Sequence, residues 1–131
     1  MPFENLGSDP EPGENITRYI FDRKQFAPTT ARVKPAAWEP ASDNFTSVCR
    51  IRDLTESEIW DLGREYVATI QRPTILARAD VSVRFVNGLG LSIEASEPPP
   101  RHANMGWPSE KHEMLSKAQV LAAESVLSLK P

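Results

Sequence analysis

The sequence predicts a small α+β domain: a few-stranded, mostly antiparallel sheet packed with two or three helices. Three observations point there. Strand-like alternation and helix-like periodicity occupy separate stretches instead of recurring as regular βα units. A complete capping box opens one helix. A chain of 131 residues, 40% of them hydrophobic, has the length and composition of one domain with a single modest core.

Residues 1–15, "MPFENLGSDPEPGEN", combine acids, Gly and Pro with little to bury, and read as a flexible acidic arm; residues 16–131 form the globular domain. Phe3 and Leu6 are the arm's candidates for docking. In "TRYIFDRK" the alternation predicts a strand with Tyr19 and Phe21 on one face. "ARVKPAAWEP" gives a second extended piece, which Pro35 marks as an edge or a bulge. "NFTSVCRI" predicts a third strand, with Phe45, Ser47 and Cys49 facing one way and Thr46, Val48 and Arg50 the other.

The first helix opens at Thr55, whose hydroxyl and Glu58 form the capping box. Ile59, Leu62, Tyr66, Val67 and Ile70 then share a face, and Pro73 ends the helix. Gly63 weakens it by about 1 kcal/mol relative to Ala and allows a close neighbour. Residues 75–90 carry two patterns. Ala77, Ala79, Val81, Val83 and Phe85 alternate as in a strand, while Ala79, Val83 and Val86 share a helical face before the glycines of "NGLGLSI". The helix is the expectation, followed by a strand from Leu91 to Ala95. A last helix starts near Pro108 with a stripe of Met114, Leu115, Ala118, Leu121, Ala122 and Val126.

The formal charge is −3. Glu4, Asp9, Glu11 and Glu14 concentrate acidity in the arm, while the stretch from Arg18 to Leu54 is mildly basic, which falls short of a dedicated nucleic-acid binder. A single cysteine, Cys49, excludes an intramolecular disulfide, and with two histidines a Cys/His zinc site is not expected. Cys49 lies in an apolar run and reads as a buried inert thiol. No cofactor, signal peptide or membrane span is expected, and the expected compartment is the cytoplasm.

The densest stretch is "PPPRHANMGWPSEKH", residues 98–112. Three prolines would hold an extended approach that presents Arg101, His102 and Asn104 just before a helix start, where free backbone N–H groups and the helix dipole favour an anion. Arg101 and Lys111 supply charge, and Trp107 a wall for stacking. The competing reading is a clamp in which His102 and Asn104 satisfy backbone groups and Trp107 plugs the core. His112 is expected on the surface.

The segment "ARADV" and then "GLGLSIEASEPPPRHANMGWPSEKHEMLSKAQVLAAE", roughly residues 77–124, resembles the C-terminal half of small uncharacterised bacterial proteins with a PPxRHAN segment, a GWP and an alanine-rich helix. The resemblance implies a bacterial or mobile-element accessory or defence protein and assigns no catalytic residue.

Three functions follow as expectations. The first is a non-catalytic interaction protein using the 98–112 segment and adjacent helix to hold a protein partner or a second copy. The second is a nucleotide or nucleic-acid binder using Arg18, Arg23, Lys24, Arg32 and Lys34, with Tyr19 and Phe21 as stacking surfaces. The third is a hydrolase or nuclease with His102 and His112 as acid and base. An enzyme is the less favoured class, because GxSxG, P-loop and GxGxxG signatures are all missing.

Overall fold

The computed structural model describes residues 3–131. In chain order the elements are β1 (Asn15–Ile20), β2 (Phe26–Ala27), β3 (Arg32–Val33), β4 (Phe45–Arg50), α1 (Glu56–Tyr66), β5 (Ala77–Ser82), α2 (Val83–Gly88), β6 (Ser92–Ala95), β7 (His102–Gly106), α3 (Lys111–Glu124) and β8 (Val126–Leu129). Six strands form one antiparallel sheet in the order β6-β7-β4-β1-β5-β8, and β2 with β3 makes a separate ribbon. The chain is a single α+β domain.

Alternation along the strands divides the core in two. One face carries Ile16 and Ile20 of β1, Val48 of β4, the small Ala77 and Ala79 of β5, and Ala103 and Met105 of β7. It packs with α2, α3 and the β2–β3 ribbon. The other face carries Tyr19 and Cys49, buried with Ile59, Trp60 and Leu62 of α1. The predicted two faces of β4 are as observed, with Val48 in the first core and Cys49 in the second.

The capping box of α1 forms in full: the Glu58 N–H donates to Thr55 Oγ1 at 3.2 Å, and the Thr55 N–H donates to Glu58 Oε1 at 2.9 Å. Gly63 is required on the inner side, where a Cβ would stand 2.5 Å from the Tyr19 ring. The helix ends at Tyr66, earlier than its apolar spacing predicts. The N–H groups of Val67 and Ala68 both turn back to the Gly63 carbonyl, which leaves Ile70 94% exposed instead of on the buried face.

Residues 75–90 hold both patterns in succession. Ala77–Ser82 is a strand, and the Ser82 hydroxyl then caps the Phe85 N–H at 3.1 Å, so helix begins only at Val83. The expected helix through Ala79 is therefore corrected to a strand. Val126, expected on the helical stripe, belongs to β8: Ser125 leaves helical geometry, its hydroxyl donating to the Leu121 carbonyl at 2.7 Å and accepting the Trp38 indole N–H at 2.9 Å.

The segment expected as an acidic arm is tied to the domain along much of its described length. The N–H groups of Leu6 and Gly7 donate to the Glu97 carboxylate at 2.7 and 2.9 Å. Glu14 is buried in a two-pronged pair with Arg50, both contacts at 2.8 Å, and Arg50 also donates to the Ser8 carbonyl. Burial alone would raise the Glu14 carboxyl, but Arg50 holds it below its ordinary value.

Candidate functional site

The ladder between β1 and β4 spans only Ile16↔Arg50 and Thr17↔Cys49, whereas β1 pairs with β5 over its whole length. Beyond Thr17 the two strands part. The guanidinium of Arg18 enters the gap, its Nε donating to the Ala37 carbonyl at 3.0 Å and its Nη1 to the Ser47 carbonyl at 2.8 Å. One side chain thereby satisfies a carbonyl of β4 and the carbonyl at the end of the 3-10 turn Pro35–Ala37. Nη2 finds no acceptor among the described residues.

A cavity of about 240 Å³ opens at this gap, on the face that α1 covers. Its floor includes a cross-strand row, Thr17, Cys49 and His102, which the registers β1–β4 and β4–β7 set side by side. Phe21, Tyr66 and Val67 give apolar walls, and Pro99 and Pro100 of the β6–β7 turn add to the rim. Arg72 is brought in by a closed turn after α1. The Thr69 N–H donates to the Arg72 carbonyl at 3.1 Å, and the Arg72 N–H donates to Thr69 Oγ1 at 3.1 Å. The Arg72 guanidinium lies over the Phe21 ring, 4.6 Å from its centre.

The electrostatics of this cavity are one-sided. Among the described residues no Asp or Glu lines it, and neither Arg18 nor Arg72 pairs with a carboxylate. Burial, and then the positive Arg72, push Arg18 below the usual arginine value. Two cations facing one cavity without a counter-ion favour an incoming anion. His102 Nδ1 lies 3.0 Å from the Ser96 carbonyl, which can only accept, so Nδ1 carries the proton and Nε2 remains without a protein partner among the described residues. Cys49 is no ready nucleophile, because burial pushes its thiol up to about 12 even with Arg18 nearby.

Of the binding candidates in the 98–112 segment, Arg101, His102, Asn104, Trp107 and Lys111, only His102 reaches this cavity, whereas Arg18, Tyr19 and Phe21 of the basic, aromatic stretch also line it. The 98–112 segment is not an extended loop. Residues 98–101 turn between β6 and β7, with the Ser96 N–H donating to the His102 carbonyl at 2.9 Å, and residues 102–106 are an inner strand of the sheet. Arg101 is buried and donates through Nη1 to the Arg52 carbonyl at 2.8 Å. Asn104 sits on β7 opposite Ser47. Trp107 is 7% exposed, in the core of the other face, its indole N–H donating to Thr46 Oγ1 at 2.8 Å. Lys111 is the exposed first residue of α3.

The anion site expected at the helix start near Pro108 is also corrected. The helix begins at Lys111, and the Glu110 carboxylate already caps it through the Glu113 N–H at 2.6 Å. His112 is exposed on α3, which packs against the face opposite to the His102 side chain, so the two histidines do not form a pair. Tyr19 is 4% exposed and its hydroxyl donates to the Ile59 carbonyl at 2.5 Å, which removes it as a stacking surface. Arg18 had been grouped with a basic stretch, but Arg23, Lys24, Arg32 and Lys34 are exposed and lie outside the cavity. Arg72 carried no sequence signal, since its approach depends on where α1 stops.

Among the described residues no cluster of three or more potential metal ligands occurs, and no helix is long and apolar enough to cross a membrane. Comparison of the chain with protein-family models, with curated proteins and with solved structures finds no match.

Proposed function

We propose that this protein is a non-catalytic binding module that holds a small organic anion in the cavity between β1 and β4. One observation carries the reading: Arg18 and Arg72 line the same cavity, and among the described residues no carboxylate lines it or neutralises either of them. The Arg18 guanidinium is preorganised by two carbonyls, so little freedom is lost when its remaining N–H groups meet a ligand. In the cavity Cys49 and His102 are the pair that a hydrolytic reading would use, and the protonated thiol argues against it. Presentation of residues 98–112 to a protein partner has less support, because β7 and Trp107 are built into the sheet and core.

The test is thermal unfolding with benzoate, acetate and inorganic phosphate, each against sodium chloride at equal ionic strength, on the wild type, Arg18→Met and Arg72→Met. A specific anion at about a hundred times its dissociation constant adds roughly 2.7 kcal/mol and raises the melting temperature by several degrees. Both variants should lose that rise. Equal shifts in wild type and variants, or none in any, would remove the reading.

A further inference from the structure

We infer that the anion is an arene monocarboxylate, a planar ring bearing a single carboxylate; this rests on the anion-binding reading of the same cavity. Size is the first constraint. An apolar cavity of about 150 Å³ accepts benzene, and pockets for drug-sized ligands start near 300 Å³. The observed volume of about 240 Å³ leaves room for one ring with a short substituent, and is small for a base joined to a sugar and phosphate.

The walls give the second constraint. Phe21, Tyr66, Val67, Pro99 and Pro100 are apolar, and the first two offer aromatic faces or edges to a ring. Charge gives the third. Arg18, with Nε and Nη1 already donating to carbonyls, and Arg72 are two guanidinium donors on one cavity, a number that matches the two oxygens of a carboxylate. Phosphate sites draw on helix N-termini or glycine-rich backbone nests. Among the described residues no glycine lines the cavity, and the helix end that reaches it is the C-terminus of α1 at Tyr66 and Val67. That end of a helix dipole is negative, so it tolerates one negative charge between two arginines better than two.

Calorimetric titration of the full chain with benzoate, benzamide, acetate and inorganic phosphate at constant ionic strength tests the inference. Benzoate should bind at least about tenfold more tightly than the other three, and lose at least about tenfold in Arg18→Met and in Arg72→Met, the cost of one charged hydrogen bond. Arg72 is exposed, so its replacement leaves the fold intact even if Arg18→Met does not fold. Phosphate equal to or tighter than benzoate, with the same dependence on the arginines, would overturn the carboxylate while leaving the anion reading in place. Acetate or benzamide matching benzoate would overturn the ring or the charge respectively. Absence of binding by all four, or binding indifferent to both arginines, would overturn the inference and the anion reading together.

Discussion

Replacing Glu14 by Gln probes the electrostatic joint that holds the N-terminal segment to the sheet. Arg50 has no exposed surface, and Glu14 meets it through two contacts of 2.8 Å, so the variant keeps a buried cation and removes its formal counter-charge. Breaking a buried pair from one side costs about 3–5 kcal/mol. For a domain of this size that corresponds to a fall of about 12–20 °C in melting temperature. The carboxyl titrates below its ordinary 4.5 in the folded protein. Its stabilisation is therefore complete above about pH 4.5 and is lost as the pH falls through the lower folded value. The gap between wild type and Glu14→Gln, measured by urea unfolding, should be full at pH 7 and close in acid. The double variant Glu14→Gln/Arg50→Met should recover most of the loss, since no charge is then stranded. A cost under about 1 kcal/mol at pH 7, or a gap that does not narrow below pH 4.5, would show that Glu14 does not stabilise the fold as the counter-charge of Arg50.

Other parts of the structure give equally definite expectations. Gly63→Ala should destabilise by about 1–3 kcal/mol in thermal unfolding, because overpacking against Tyr19 outweighs the helix propensity gained. Trp107→Phe should cost about 1–3 kcal/mol by leaving Thr46 Oγ1 without its donor, yet leave benzoate affinity unchanged, since Trp107 lies in the core of the other face. Cys49, buried and titrating only near 12, should react with iodoacetamide at pH 8 far more slowly in the native protein than in urea, as followed by mass spectrometry.

The sequence was readable wherever a local rule decided the outcome. The capping box at Thr55 and Glu58 and the alternation of β4 both act within a few residues, and both appear as expected. β7 was hidden because "RHANMG" sits between prolines and a buried tryptophan, a context that reads as loop until β4 and β6 pair on its two sides. Ala77–Ser82 satisfied two periodicities at once, and pairing with β1 and β8 decided for strand. The site was less legible still. His102 was found through its surroundings, but its partners in the cavity come from β1, β4 and the turn after α1. Arg18 and Arg72 are joined only by tertiary structure: the incomplete β1–β4 ladder admits one, and the early end of α1 brings the other. Neither event leaves a short-range mark in the chain.

In the proposed site Arg18 and Arg72 would hold one anion between them, and side-chain nitrogen NMR reads this directly. Guanidinium Nε–H signals would be followed during a benzoate titration at fixed ionic strength. The Arg18 and Arg72 signals should shift together along a single saturating curve, while those of the exposed Arg23 and Arg32 should not move. Shifts spread evenly over all arginines, or Arg18 and Arg72 signals that stay fixed while benzoate binds elsewhere, would contradict the proposed site.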